Sequence, residues 1–486
     1  MKSLIERVPN IEGLLKVSVE TDGEEGRVLL QSGRTLHMEG RLFGKSPLEA
    51  VQLTQTLSAK NGVAHGLAAA LALENFLQIK PTYGGQKIRQ IMLQLSTLHA
   101  HISHFYFEVL PDYLNQRHFK AQGLLRASFF PALAMREEAP GDLGHESGRL
   151  ILSHLPQVVT CLGKLQQCLG LLGGKFPIVM NLIPGGVTNQ QVSRDQVMRL
   201  LRLLEGIKQT VEVTWPGDLR ALIGATPELA QGLGENQQLI SFGSMDIENA
   251  KDDPSYYTSG VYLDGKLEPL NAAKVTESFV DTYYRSADNK SLSNDLIYDL
   301  NKKEAKTWIK AARYEIEVMQ TGPLARMLVT HYGGGNVQIS DSISAWIEDL
   351  GLSSDRANSA ASRLLAEAFE GRFLMLSLFK SLMGFDFSQK LNLQRPLAFS
   401  GRGTGTGLVE APSGSLMHQV FIGEGAITGY RIVAPANWTL SSRDEFGKTG
   451  LVESELNRLS ENNPIKPLTA NRILHSYYAM ALDATQ

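Results

Sequence analysis

The sequence predicts a helix-dominated α+β fold built as one large domain, and three observations carry that expectation. Helical patterning dominates residues 46–399. Strand signals gather mainly before residue 45 and after residue 400. No internal repeat, low-complexity linker or shift of composition divides the chain. The expected organisation is an N-terminal β segment over 1–45, a mainly helical body over 46–399 and a C-terminal β/α segment over 400–486.

In chain order, "LLKVSVETDGEEGRVLLQSG" (14–33) alternates apolar and polar residues around Asp22-Gly23 and predicts a hairpin. Ser46-Pro47-Leu48-Glu49 has the form of a capping box with proline at the first helical position, and Asn61-Gly62 reads as the stop. That reading puts Ser58 and Asn61 on one face of the last turn. Helical patterning continues to about 125 through "KIRQIMLQLSTLHAHISHFYFEVL". A glycine-rich stretch over 170–190 interrupts it before the amphipathic "SRDQVMRLLRLLEGIKQTVEVTW". Residues 235–265 are strand- and turn-rich, with "SGVYLDGKLEP" a hairpin. Helices are expected again over 273–285, 313–331 and 355–383. The tail carries strands in "GTGLVEAPSGSLMHQVFIGEGAITGYRIVAP" and a final helix from about 468.

Apolar residues make up 43% of the 486 and charged residues 20%, which describes a soluble globular protein. The net charge of -3 gives no electrostatic case for nucleic acid or an anionic membrane. No apolar run is long enough to span a bilayer, and "MKSLIERVPN" has no signal-peptide core. The expected location is the cytoplasm, or wherever a partner's export signal carries the chain. The two cysteines, Cys161 and Cys168, sit seven apart on an apolar helical pattern. They are then about 10 Å apart along the axis, too far for a disulfide, and read as core. A four-thiolate iron–sulfur cluster within this chain is excluded by count.

Short motifs identify no reaction. His101 and His104, near His99, share a helical face, a spacing metal sites use; beside Phe105, Tyr106 and Phe107 the expectation is packing and hydrogen bonding. "HYGGGNVQ" (331–338) follows a helix rather than a strand, and "GRGTGTG" (401–407) lacks a βαβ context, so neither reads as a phosphate cradle.

Longer blocks carry more. "TWIKAARYEIEVMQTGPLARML" (307–328) resembles the W-x-K-A-P-R-Y … G-P-L-A-R segment of nickel-iron hydrogenase large subunits. "GLVEAPSGSLMHQVFIGEGAITGYRIVAPANWTLSSRDEFGKTGLVESEL" (407–456) resembles their E-A-P-R-G-x-L-x-H … P-R-D … G-x-x-E segment. "VPNIEGLLKV" (8–17), "HISHFYFEVLPD" (101–112) and "GGKFPIVMNLIPGGV" (173–187) match further landmarks in the right order. The resemblance implies that family's fold, a long central helical bundle with small peripheral β-sheets.

In the family, four cysteines from R-x-C-G-x-C and D-P-C-x-x-C-x-x-H hold a nickel-iron centre. The resemblance puts Ser58 and Asn61 at the first pair and Met480 and Asp483 at the second. Hydroxyl, amide, thioether and carboxylate do not replace four thiolates around soft metals. The arginine of E-A-P-R-G corresponds to Ser413, and two family aspartates to Ala100 and Tyr478. Glu12 stands at the family's proton-relay glutamate, and His65 and His418 persist. Glu39 matches a magnesium-binding glutamate, and Gln486 stands where a C-terminal histidine ligand would be; an amide oxygen suits that hard cation. Family precursors carry a tail beyond this position, so the expectation here is a chain that needs no proteolytic maturation.

The resemblance implies a hydrogenase-like large subunit with no nickel-iron centre and no other cofactor of its own except magnesium. It would act as a structural or electron-transfer subunit beside a small subunit carrying iron–sulfur clusters, with further redox subunits. Two alternatives are a scaffold for hydrogenase maturation, and an enzyme with new chemistry in the remodelled pocket using Glu12, His65 and Asp483.

Overall fold

Two glycines set how closely the first long helix approaches the C-terminal sheet. The computed structural model describes residues 2–8, 11–22, 25–33, 35–120, 136–230, 238–245, 250–285, 297–349, 351, 358–460 and 465–480. Helix Gly62–Leu77 buries Ala64, Ala68, Ala69, Ala70 and Ala72, and lies against strand Arg402–Ala411. A Cβ on Gly405 would fall 2.0 Å from the Ala72 carbonyl oxygen, and one on Gly407 2.1 Å from that of Ala68. The G-x-G spacing of "GRGTGTG" therefore serves contact between a helix backbone and a strand backbone. Strand Arg402–Ala411 pairs antiparallel with Gly414–Gly423, which pairs antiparallel with Ala426–Val433.

The helical body is built from Tyr83–His104, His145–Gly173, Arg194–Glu205, Trp215–Ala225 and Ala360–Met383, packed around one extended apolar core. Arg194–Glu205 starts in a capping box at Ser193 and buries a narrow stripe of Val197, Leu200 and Leu204, as its sequence period requires. Cys161 and Cys168 both lie on His145–Gly173, buried and unbridged, and burial pushes both thiols up to about 12. Among the described residues no helix is long and apolar enough to cross a membrane.

A second core joins the two ends of the chain. The predicted hairpin forms as Leu15–Asp22 with Glu25–Ser32, and Lys2–Ile5 adds a third strand. Val17, Val28 and Leu30 pack on Leu451, Val452, Leu456 and Leu474 of helices Leu451–Ser460 and Pro467–Ser476. Two carboxyl-terminal side chains finish the hairpin edge: Leu30 N donates to Glu453 Oε1 at 2.8 Å and Val28 N to Asn457 Oδ1 at 2.6 Å. Small sheets at 239–241/260–263/266–268 and 275–278/311–314 complete the periphery.

The structure corrects several local expectations. The helix begun at Ser46 ends at Leu53, followed by a 3₁₀ turn Thr54–Leu57, so Ser58 and Asn61 do not share a helical face. Thr54 Oγ1 turns back onto the Ala50 carbonyl at 2.8 Å, Ser58 is extended, and Asn61 instead heads helix Gly62–Leu77. Gly62 is thus a helix start, where a Cβ would meet the Gln55 carbonyl oxygen at 2.8 Å. In place of helix over 273–285, Val275–Ser278 is a strand paired with Ala311–Tyr314. In place of helix over 313–331, the helix begins at Pro323. All four residues of Ala311–Tyr314 are buried, and a short run buried on both faces carries no period to separate strand from helix. Helices Val337–Asp349 and Leu451–Ser460 were not expected.

Candidate functional site

The loop between the Thr54–Leu57 turn and helix Gly62–Leu77 meets the N-terminal segment and the strand turn at 411–414. Ser58 Oγ donates to Glu12 Oε2 at 2.8 Å and accepts from Asn61 N at 3.1 Å. Glu12 Oε1 accepts from Ala59 N at 2.5 Å, so one carboxylate closes the loop from both sides. Asn61 makes no cap with its side chain; its Nδ2 donates to Ser413 Oγ at 2.8 Å, and Ser413 N returns to Asn61 Oδ1 at 3.5 Å. Ser58, Asn61 and Ser413 are all buried.

From the other side comes the end of helix Pro467–Ser476. Tyr478 has left-handed backbone at φ 56°, which for an aromatic residue costs about 1 kcal/mol or more. Its side chain forms a small apolar cluster with Ala100 and Met480. The ring stacks on His104, centroids 3.9 Å apart and planes 17° from parallel, and its hydroxyl lies 3.3 Å from His101 Nδ1. Lys60 Nζ sits 5.7 Å over the same ring and pairs with Glu108. Burial, then the Glu367 carboxyl, pushes the Tyr478 phenol well above its usual range, so it is a neutral donor here.

Arg326 ties the two halves together. Its guanidinium binds Glu370 through Nε (2.8 Å) and Nη2 (2.5 Å), and donates to the carbonyls of Ala411 (3.0 Å) and Pro412 (3.1 Å) beside Ser413. Nη1 also reaches Glu410 at 3.2 Å. Glu370 in turn holds His101 Nε2 at 2.7 Å. Burial works to raise Glu370, but Arg326 and His101 outweigh it and hold the carboxyl down at about 2. One helical turn away, Glu367 faces His104 Nδ1 at 2.9 Å; burial pushes it up to about 8, and burial also holds His104 neutral. The relay Ser413 turn–Arg326–Glu370–His101–Tyr478 is thus continuous, and every side chain in it is buried.

Of the residues expected at the site, Glu12, Ser58, Asn61 and Ser413 are joined by hydrogen bonds, and Ala100, Tyr478 and Met480 by apolar contact. His65 forms a separate pair: its Nδ1 lies 2.9 Å from His418 Nε2, whose Nδ1 lies 2.9 Å from Tyr430 Oη. Burial and then His65 hold His418 well below the usual histidine range. Asp483 and Gln486 lie outside the described residues. The three neighbouring histidines diverge: His99 packs on Phe176 at 4.7 Å, while His101 and His104 end on Glu370 and Glu367. Arg326, Glu367 and Glu370 were not singled out from sequence. The G-P-L-A-R block contained the arginine, but nothing local marks Glu370 on an apolar helix as its counter-charge, or Glu367, three residues earlier, as the partner of His104.

The residues present do not fit a thiolate-held nickel-iron group. The chain's two cysteines lie in the helical core, Ser58 and Asn61 are committed to Glu12 and Ser413, and Met480 packs against Tyr478. Glu39 is different. Its Oε1 accepts from Lys310 Nζ at 2.8 Å and Ile432 N at 2.7 Å, while its buried Oε2 has no hydrogen-bond partner among the described residues. Burial, opposed by Lys310, leaves this carboxyl above its usual range. A buried carboxylate oxygen without a partner suits a hard cation, but among the described residues no group of three or more His, Cys, Asp or Glu side chains comes together to hold one.

A family model described as nickel-dependent hydrogenase matches residues 37–122 and 122–479. The periplasmic [NiFeSe] hydrogenase large subunit of Desulfomicrobium baculatum is 25% identical, over 98% of this chain and 93% of its own length. The hydrogenase-2 large chain of Escherichia coli K12 is 24% identical, over 97% and 95%. The solved [NiFeSe] hydrogenase of Dm. baculatum superposes with a TM-score of 0.84 at 23% identity, covering 99% of both chains. That of D. vulgaris Hildenborough gives 0.81, with the same identity and coverage. The bundle and its peripheral sheets are the fold of these chains. Matched along nearly its whole length, the chain belongs to the nickel-dependent hydrogenase large-subunit family.

Proposed function

We propose that this chain is a hydrogenase-like large subunit that works without a nickel-iron centre, as a structural or electron-transfer subunit paired with a small subunit that carries iron–sulfur clusters. The observation that carries the reading is the paired locking of the substituted positions: Ser58 onto Glu12 at 2.8 Å and Asn61 onto Ser413 at 2.8 Å. A loop whose polar groups are already satisfied presents no ligand set to a soft metal. Passing electrons between clusters in a partner asks only that this chain bind and shield them, and an intact fold supports that role. The relatives' names, large subunit and large chain, support a smaller partner. The expected location is the cytoplasm, or wherever that partner's export signal takes the pair. Magnesium at Glu39 is the one cofactor this reading allows the chain itself.

The test is anaerobic purification from a host with intact hydrogenase maturation. The expected result is a co-purifying subunit with iron–sulfur clusters, and neither stoichiometric nickel nor infrared bands of carbonyl and cyanide on iron. Near-stoichiometric nickel, or those bands, overturns the proposal. Recovery of maturation chaperones in place of a cluster-bearing subunit favours the scaffold role instead.

A further inference from the structure

Glu108, His104 and Glu367 form a row from the surface to the interior beside the Tyr478 ring. Glu108 follows His104 by four residues, in the π turn Phe105–Val109 that continues helix Tyr83–His104. That spacing puts both on one face, with Glu108 Oε2 3.9 Å from His104 Nε2. On the other edge of the same ring, Nδ1 meets Glu367 Oε2 at 2.9 Å. Only the Glu108 end reaches solvent: its side chain is 10% exposed, against 0% for His104 and 2% for Glu367. Lys60, at the same rim, pairs with the other Glu108 oxygen, Oε1.

The protonation states fit this row. Burial keeps the proton on Glu367 up to about 8, and burial, then Lys60, keeps His104 neutral. A protonated Glu367 donates to Nδ1, which leaves the imidazole proton on Nε2, the nitrogen nearest Glu108. Nε2 and Glu108 Oε2 are both buried without a hydrogen-bond partner among the described residues, so neither is committed elsewhere. The 3.9 Å gap exceeds a hydrogen bond by about 1 Å, and a swing of the Glu108 carboxyl end closes it. The other titratable and charged groups around the row are His101, Lys60, Glu370, Arg326, His475 and Tyr478. Glu370 is taken by Arg326 and His101, and His475 Nδ1 by Asp112 at 2.6 Å. The Tyr478 hydroxyl is turned to His101.

We propose that Glu108, His104 and Glu367 form a proton shuttle through which a buried carboxyl group exchanges its proton with solvent. Outward, the Glu367 O–H bond breaks as Nδ1–H forms, while Nε2–H breaks as an O–H bond forms on Glu108, which then gives its proton to water. Inward, the same bonds change in reverse. The imidazole stays neutral and swaps tautomer, so it need not turn within its stack on Tyr478. The shuttle shares no residue with the Glu12–Ser58 bond and does not depend on a partner subunit.

The test follows hydrogen–deuterium exchange at the Glu367 carboxyl by infrared spectroscopy at pH 6, on the full chain with whatever subunit co-purifies. The protonated-carboxyl band that Glu367→Gln removes identifies the group, and transfer into heavy water shifts that band. Glu108→Gln should slow the shift at least tenfold. His104→Phe, which keeps a ring against Tyr478, should slow it as much. Damage to the fold opens the interior and speeds exchange, so slowing is a result that a purely structural role does not give. Amide exchange in helix Tyr83–His104, read by mass spectrometry, should be unchanged in Glu108→Gln. No band lost in Glu367→Gln, or exchange in Glu108→Gln as fast as in the unaltered chain or faster, overturns the proposal. Should Glu108→Gln fail to fold, His104→Phe decides on the same criterion.

Discussion

The Asn61 amide and the Ser413 hydroxyl meet at 2.8 Å across 352 residues of sequence, both buried, and this bond pins the strand turn at 411–414 to the start of the first long helix. Removing either partner leaves a buried polar group unsatisfied. Asn61→Ala and Ser413→Ala should each cost about 1–3 kcal/mol, and the double variant clearly less than their sum. Ser58→Ala should cost a similar amount through Glu12. Urea denaturation measures all four, and binding of the proposed cluster-bearing subunit should be retained throughout. Strictly additive losses would show that the two side chains do not interact.

Tyr478 fills space first and hydrogen-bonds second. Tyr478→Phe keeps the stack on His104 and loses only the 3.3 Å contact with His101, so it should cost under about 1 kcal/mol. Tyr478→Ala opens a void between Ala100, Met480 and His104 and should cost about 3–5 kcal/mol. Thermal melts of the two variants separate the contributions. A Phe variant as damaged as the Ala variant would assign the hydroxyl the larger role.

Glu367 and Glu370 give the fold opposite pH dependences. Glu367, raised to about 8, holds its proton in the folded chain while the unfolded chain releases it near 4.5. Stability should therefore fall as pH rises from 4.5 through 8, by up to about 1.4 kcal/mol per pH unit. Glu370, held down at about 2, contributes stability that is present above 4.5 and lost as pH falls through 2. Glu367→Gln should flatten the slope on the alkaline side without touching the acid limb, and should leave the folded chain more stable at pH 8. Unfolding free energies from pH 4 to 9 check this. An unaltered slope in Glu367→Gln contradicts it.

The glycines of "GRGTGTG" should differ in tolerance according to what faces them. A Cβ on Gly407 or Gly405 meets helix backbone at 2.1 and 2.0 Å, which cannot move aside. Gly407→Ala and Gly405→Ala should each cost about 3 kcal/mol. At Gly403 the nearest atom is the Phe76 ring edge at 3.1 Å, so Gly403→Ala should cost less than about 1 kcal/mol. Equal losses at all three positions would mean that strand propensity, not the helix contact, governs the stretch.

The sequence by itself determined the family resemblance and the helical body, because each rests on residue identity or on a period repeated over many turns. The absence of cysteine at 58, 61, 480 and 483 needs no coordinates, and neither does the alternation that makes Leu15–Asp22 and Glu25–Ser32 a hairpin. Only the tertiary structure decided where short elements begin and what the side chains of Ser58 and Asn61 do. Asn61 and Gly62 read as a helix stop, yet they start a helix, because Gly62 packs against the Gln55 carbonyl and the Asn61 amide is drawn to Ser413. Local signals are identical for the two ends; a contact from residue 413 breaks the tie. In the same way Glu367 and Glu370 look alike in sequence, three residues apart on one helix. One faces the Arg326 guanidinium and stays charged, the other faces a neutral histidine and keeps its proton. Charge state in a buried interior is set by the nearest counter-charge, and that neighbour comes from elsewhere in the chain.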